Sequence, residues 1–310
     1  MKVIVLGASG MLGSMVLDTL RRDSGLEVAA TARDGALIKK FQARSPGVQW
    51  QLLDASGCDI PEIVRVINNA TWVINCIGVI KPYIHDDHPA EIERAIRVNA
   101  VFPHLLAHAA EQCGAQVLQI ATDCVYSGVK GNYSEPDKHD ALDVYGKTKS
   151  LGEAFSDRVH NLRCSIIGPE PKGHVSLLDW FLHQASNGKV SGYVNHHWNG
   201  VTTLHFARLC LGFITKDLRL KHVQHVVPEK MVTKAELLGF FALEYHREDI
   251  TINPSHADVV IDRTLSTNDE ALNRELWSNA GYTEPPTVER MVTELATFDY
   301  SFANLCHANT

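Results

Sequence analysis

Residues 1–20 read MKVIVLGASGMLGSMVLDTL. Val3 to Leu6 form a short apolar run. Gly7, Gly10 and Gly13 follow at G-x-x-G-x-x-G spacing, and Met15, Val16 and Leu20 then recur at helical spacing. The pattern is a strand, a glycine turn and a helix. Glycines let the backbone approach a pyrophosphate, and a helix N-terminus offers N–H groups and a positive dipole end. Gly7, Ser9, Gly10, Met11, Leu12 and Gly13 are therefore candidate dinucleotide-binding residues. The usual dinucleotide fingerprint is G-x-G-x-x-G; the spacing here differs. The plain alternative, an ordinary tight turn, does not explain three glycines between a first strand and a first helix. A secretory signal is a poor fit, because glycines interrupt the apolar run and only Lys2 precedes it.

Outward from this turn, strand and helix patterns alternate. A second strand, Glu27 to Ala32, leads into Arg33. A carboxylate here would hold the ribose hydroxyls of NAD, whereas an Arg accommodates the 2′-phosphate of NADP. Arg33, with Lys39 and Lys40 close behind, points to NADP(H), with NAD(H) as the alternative. Further strands are expected at Val48–Leu53, closing with Asp54, and at Thr71–Ile77, where Cys76, Ile77 and Gly78 would run under the cofactor. Gln116–Ala121 is read as a strand delivering Thr122, and Leu162–Ile167 as one ending at Gly168-Pro169. This alternation implies an α/β fold with a doubly wound parallel sheet. Ligands bind such sheets at the C-terminal ends of the strands.

VYGKTKSLGE places Tyr145 and Lys149 four residues apart, on one face of a helix. IATDCVYSG upstream supplies Thr122. A phenol, an ammonium and a hydroxyl so grouped can protonate a carbonyl oxygen or deprotonate an alcohol. Free tyrosine titrates near pH 10. A neighbouring ammonium and an oxidised nicotinamide would lower that value.

GASGMLG, the VINCIG strand end, the RVN around Asn99, TDCVYSG and YGKTKSLGE span roughly residues 1–170. Together they resemble an extended short-chain dehydrogenase/reductase, and within it the dTDP-4-dehydrorhamnose reductase family of sugar-nucleotide reductases. The resemblance implies a Rossmann-type NAD(P)-binding domain over 1–168 and a smaller α/β substrate lobe over 169–310, with the chain crossing back. Tyr145 resembles the family's proton donor and Lys149 the residue that binds the nicotinamide ribose and lowers the tyrosine pKa. Thr122 resembles the hydroxyl that orients the sugar carbonyl, Asn99 a structural Asn of the proton relay, Asp54 the acid near adenine, and Asp123 the polar group beside the sugar. Ile167 joins the expected cofactor contacts. One departure stands out. Sugar-nucleotide dehydratases of this superfamily carry Asp then Glu after the Thr, and here the second position is Cys124. That favours reduction over dehydration and leaves epimerisation open.

Composition agrees. A chain of 310 residues can bury one sizeable core with a smaller lobe. A net charge of −7 argues against nucleic acid. No apolar run reaches the ~18 residues of a spanning helix. Seven cysteines without a C-x-x-C pair, with Cys76, Cys124 and Cys164 on or beside core strands, suggest a reducing cytoplasm. A homodimer is open.

Beyond Pro169 the pattern is less regular. Leu177–Ala185 reads as a helix, Asn187-Gly188 as a turn, and Thr233 with Glu236 as a capping box. The Asn195–Thr203 stretch supplies Trp198, Asn199 and Thr202 as candidate substrate contacts. For Trp198 a core role is an equal alternative. Lys172, Lys189, Arg208 and Arg263 are candidate cations for a diphosphate, with Arg263 also assigned to the substrate. His104 and His108 share a helix face at i and i+4, but no Cys, Asp or Glu completes a metal set, so no metal is expected. His196-His197 reads as structural.

The expectation is thus NAD(P)H-dependent reduction of a keto group on a nucleotide-activated 6-deoxy sugar, with Thr122, Tyr145 and Lys149 as the catalytic set. Two alternatives remain. One is a nucleotide-sugar epimerase with tightly held NAD. The other is a non-catalytic NADP-binding regulatory subunit, since the regulatory subunit of methionine adenosyltransferase resembles this same group.

Overall fold

The computed structural model describes residues 1–303 and 305. Its centre is a seven-stranded sheet. β1 (Lys2–Leu6), β2 (Glu27–Ala32), β3 (Gln49–Leu52), β4 (Trp72–Asn75), β5 (Gln116–Thr122) and β6 (Val159–Cys164) are joined by a late strand, Val223–His225. The spatial order is Val223–His225, β6, β5, β4, β1, β2, β3, and every neighbouring pair is parallel. The β3-β2-β1-β4-β5-β6 run is the doubly wound dinucleotide-binding order.

Parallel strands covered on both faces read as continuous apolar runs. Val3, Ile4, Val5 and Leu6 are accordingly all buried. Alternation divides them between two cores. Val3 and Val5 face one with α1 (Met11–Leu20), while Ile4 and Leu6 face the other. α2 (Gly35–Gln42) follows β2, and α3 (Ile60–Ile67) follows β3 with Asp59 accepting the Glu62 N–H as its cap. A longer helical run begins as α4 (Pro89–Ala95), passes through a π turn (Ile96–Val101), and continues as α5 (Phe102–Cys113). Ala107, Ala109 and Ala110 on α5 and Ile63, Val66 and Ile67 on α3 fill the second core. α6 (Val144–Leu151) carries the Tyr–Lys pair and is capped by Asp143, which accepts the Gly146 N–H at 2.7 Å.

β6 begins three residues earlier than the sequence pattern suggests. Its first turn of polar residues is buried but satisfied: His160 Nε2 pairs with the Gln116 side chain at 3.0 Å and His160 Nδ1 accepts the Leu220 N–H. Polar side chains with internal partners can enter a core strand. The expected Leu177–Ala185 helix is shorter, forming α7 (Leu177–Leu182).

Residues beyond 168 contribute to both layers. α8 (Thr203–Thr215) packs on α1 in the first core, and Val223–His225 extends the main sheet. Lys189–Tyr193 pairs parallel with Thr251–Ser255 beside α9 (Lys234–Glu244). Thr233 and Glu236 form the expected capping box. Among the described residues no helix is long and apolar enough to cross a membrane, and each cysteine is a free thiol.

Candidate active site

The glycine turn lies at the C-terminal end of β1, next to the point where strand order reverses. Gly7 adopts φ +72°, a conformation natural to glycine. Its N–H donates to the Thr31 hydroxyl, and the Ala8 N–H to the Thr31 carbonyl, which ties the turn to β2. A Cβ on Gly13 would stand 2.3 Å from the Gly7 carbonyl oxygen, so only glycine allows α1 to close onto the turn. Gly10 caps α1 without any side-chain hydrogen bond, so the first-turn N–H groups are left to a ligand or to water. Cys76 and Ile77 follow β4 alongside; a Cβ on Gly7 would meet Ile77 at 2.9 Å. This is a fitting cradle for a dinucleotide pyrophosphate. At the neighbouring corner Arg33 is exposed after β2; two Ser56 hydrogen bonds lower the Asp54 carboxyl after β3, and the Arg33 charge adds a smaller push the same way.

β5 delivers Thr122 and Asp123 to the same edge, both buried. α6 brings Tyr145 against them. Burial pushes the Tyr145 phenol above its ordinary value; Cys124 and Asp123 push the same way, and a hydrogen bond with Thr122 opposes them. The sign is opposite to the lowering expected from Lys149, because removal of the ring from water dominates. Lys149 is nine-tenths buried, and its Nζ donates to the Ile120 carbonyl at 3.1 Å. Burial lowers its pKa, while Glu153, Cys76 and Cys124 oppose that shift. Cys124 sits where a dehydratase carries its Glu, and burial with Asp123 beside it pushes this thiol up to about 12. It is therefore a neutral thiol near pH 7, not a general base.

Asn99 lies inside the π turn. Its amide oxygen accepts the Val79 N–H at 2.8 Å and its amide nitrogen donates to the Val79 carbonyl at 2.9 Å. The π turn and α6 meet so tightly that a Cβ on Gly152 would fall 1.8 Å from the Asn99 carbonyl oxygen. Asn99 thus fixes the strand-end loop and the catalytic helix relative to each other.

Arg263 joins the cluster from the C-terminal region. Its Nε donates to the Tyr126 carbonyl at 2.8 Å, and its charge opposes the burial of Asp123; hydrogen bonds lower Asp140 (from Ser127) and Asp143 (from Lys81 and Gly146), with Arg263 adding a small push the same way. Asp262 and Thr264, on either side of it in sequence, line a cavity of about 920 Å³ that also includes Lys130, Val227 and Arg274.

Several expected contacts lie elsewhere. Thr202 is fully buried and caps α8, its hydroxyl meeting the His205 N–H and Nδ1, so it has no face for a substrate. The Asn199 amide is committed to the Leu265 backbone through two hydrogen bonds. Trp198 packs on the first core, over Gly200. Ile167 is buried in that core, paired with Thr202. Arg208 is taken up by Glu294 and Tyr282 and is not a diphosphate ligand. Lys172 and Lys189 are exposed, with Lys172 beside a separate small cavity. His104 bonds the Leu151 carbonyl, His108 lies near Glu111, and His197 pairs with Asp262.

Sequence reading missed Lys81, which bonds Asp143 Oδ2 at 2.6 Å at the cap of α6 and whose charge reaches Cys124. It also missed Glu153. Its side chain is buried, pairs with buried Arg163, and supplies the largest charge effect on Lys149. The tail of the YGKTKSLGE motif held Glu153 in view; nothing local marks Lys81.

With this geometry in place, comparison with known proteins is informative. The family model described as RmlD substrate binding domain matches residues 1–296. A dTDP-4-dehydrorhamnose reductase of Mycolicibacterium smegmatis is 30% identical over 184 residues, covering 58% of this chain and 45% of that protein. Methionine adenosyltransferase 2 subunit beta of Bos taurus is 28% identical over 152 residues, covering 49% and 41%. The chain thus spans under half the length of these relatives. The crystal structure of dTDP-4-dehydrorhamnose reductase from Bacillus anthracis in complex with NADP aligns with a TM-score of 0.73 at 18% identity, covering 95% of this chain and 98% of that one. At that identity it speaks for the fold. With the family model spanning nearly the whole chain, this protein belongs to the RmlD family, the dTDP-4-dehydrorhamnose reductase group of extended short-chain dehydrogenase/reductases.

Proposed function

We propose that the chain is an NADPH-dependent reductase of a nucleotide-activated keto sugar, of the 4-keto-6-deoxy kind, with NADH as a weaker donor. The observation that carries this reading is the grouping of buried Thr122 and Lys149 with half-buried Tyr145 at the strand ends beside the glycine cradle. The names of the relatives above support the substrate class.

When bound, the nicotinamide supplies a hydride to the keto carbon. The glycine turn and the α1 N-terminus hold the pyrophosphate. Arg33 receives a 2′-phosphate at an exposed corner where Asp54 completes the adenine side. Thr122 donates to the keto oxygen. Tyr145 donates the proton that oxygen takes up, and its raised pKa keeps it in the protonated form that reduction consumes. Lys149, fixed by the Ile120 carbonyl, would hold the nicotinamide ribose. Arg263 and Lys81 bring positive charge to a site otherwise crowded with Asp123, Asp140 and Asp143, which suits an anionic sugar nucleotide.

A dehydratase reading is disfavoured because Cys124 is a neutral thiol. The test is a panel of 4-keto nucleotide sugars with NADPH, followed at 340 nm. At least one member should drive NADPH oxidation by the wild type and not by Tyr145→Phe. Absence of turnover with every member would contradict the proposal.

A further inference from the structure

Away from the cluster above, the sequence H-x4-D-x3-H at His174, Asp179 and His183 folds onto itself where the chain leaves the main sheet. Asp179 lies on α7 and His183 follows its last turn, so the two share one helix face at i and i+4. His174 precedes the helix with φ +77°, which turns its ring back toward Asp179. The two imidazole rings lie 4.0 Å apart between centroids. One donor atom from each of the three side chains falls within 4.8 Å of the others.

We propose that His174, Asp179 and His183 bind a divalent transition metal, Zn²⁺ foremost. His174 Nδ1 and Asp179 Oδ1 stand 3.5 Å apart. That is long for a direct hydrogen bond. It is close to the ~3.3 Å edge of a tetrahedron built from Zn–N and Zn–O bonds of about 2.0–2.1 Å. A two-imidazole, one-carboxylate set suits zinc and its neighbours over Mg²⁺ or Ca²⁺.

The surrounding bonds orient the donors as a metal site needs. Asp179 Oδ2 accepts the Glu170 N–H at 2.5 Å and faces Ser176 Oγ at 3.4 Å, which leaves Oδ1 for the metal. His183 Nδ1 meets the Asp179 carbonyl oxygen at 2.8 Å, so the proton is on Nδ1 and the Nε2 lone pair is the ligand. Glu170 Oε2 accepts the His174 and Val175 N–H groups and holds the loop in place. Asp179 is buried, His174 is half-buried and His183 is exposed, so the group runs from the interior to the surface. The metal would staple the loop of residues 170–175 to α7, at the exit from the sheet.

The test uses the metal-stripped full chain. Equilibrium dialysis against Zn²⁺ measures bound metal per chain, and Co²⁺ titration reads the visible absorption of a four-coordinate site. The wild type should hold one equivalent more than His183→Ala, and should gain thermal stability with Zn²⁺ that the variant does not. Asp179→Asn should lose the same equivalent. His183 is exposed, so its replacement should leave the fold intact by circular dichroism. Equal stoichiometry and equal Co²⁺ spectra in wild type and His183→Ala would overturn the proposal and mark binding by other histidines.

Discussion

Lys149 Nζ reaches across from α6 to donate a 3.1 Å hydrogen bond to the Ile120 carbonyl, two residues before Thr122 on β5. The catalytic helix is thereby bolted to the strand that delivers the substrate-facing hydroxyl. Lys149→Met should leave that half-buried carbonyl without its Nζ donor, at a cost of about 1 kcal/mol. It should also lower kcat by ~10²-fold or more through loss of the charge beside the ribose and phenol. Denaturant melts and steady-state kinetics check both. A variant with unchanged stability and turnover would detach Lys149 from the site.

Arg33 stands exposed at the adenine corner, where a 2′-phosphate would lie. Arg33→Ala should lower kcat/KM for NADPH by ~10–100-fold while leaving that for NADH nearly unchanged, as expected for loss of one charge-assisted contact worth about 1.5–3 kcal/mol. Measurement of both cofactors in both proteins decides it. A wild type that already prefers NADH would remove the role.

Glu153 and Arg163 form a buried ion pair behind α6, with side chains 4% and 1% exposed. Arg163 also donates to the Tyr126 hydroxyl and to His225 Nε2. Breaking a buried pair from one side leaves a charge without its counterion. Glu153→Ala should cost about 3–5 kcal/mol in urea unfolding. A loss under 1 kcal/mol would show that the other partners suffice for Arg163.

Three buried histidines set the acid side of the stability curve. Burial, the leading cause for each, lowers His160 and His225 to about 4 and His205 to about 3. Between those values and the ordinary 6.5, the unfolded chain binds protons that the folded one refuses. Stability therefore rises with pH through that window and falls on acidification, by about 1.4 kcal/mol per pH unit for each group. Tm measured from pH 7 to 4.5 should drop, and His160→Asn should flatten the slope. A Tm independent of pH over this range would contradict the assignment.

The order of these elements shows what the sequence made legible. The glycine turn, β2 with Arg33, and the Tyr145–Lys149 helix announce themselves because local spacing alone dictates them, and six of the seven sheet strands follow from the alternation; the seventh, Val223–His225, comes from the segment assigned to the substrate lobe. Of the four candidate cations the sequence offered, Arg263 is the one whose charge reaches Asp123. Asn199 and Arg208 misled because their partners lie far away in sequence, Leu265 for Asn199 and Glu294 for Arg208, whereas Thr202 is spent locally as the cap of α8. β6 hid its start behind His160 and Asn161, whose burial depends on Gln116 and His222. Lys81 escaped because its partner, Asp143, is brought to it only by the fold.

The central claim is net reduction with an exchangeable cofactor. The most direct measurement is the stoichiometry of NADPH consumed against sugar nucleotide reduced, together with the cofactor content of the purified protein. The account predicts one NADPH oxidised per product formed and substoichiometric nucleotide in the purified chain. Tightly held NAD, no net change at 340 nm and interconversion of two sugar nucleotides would instead show an epimerase.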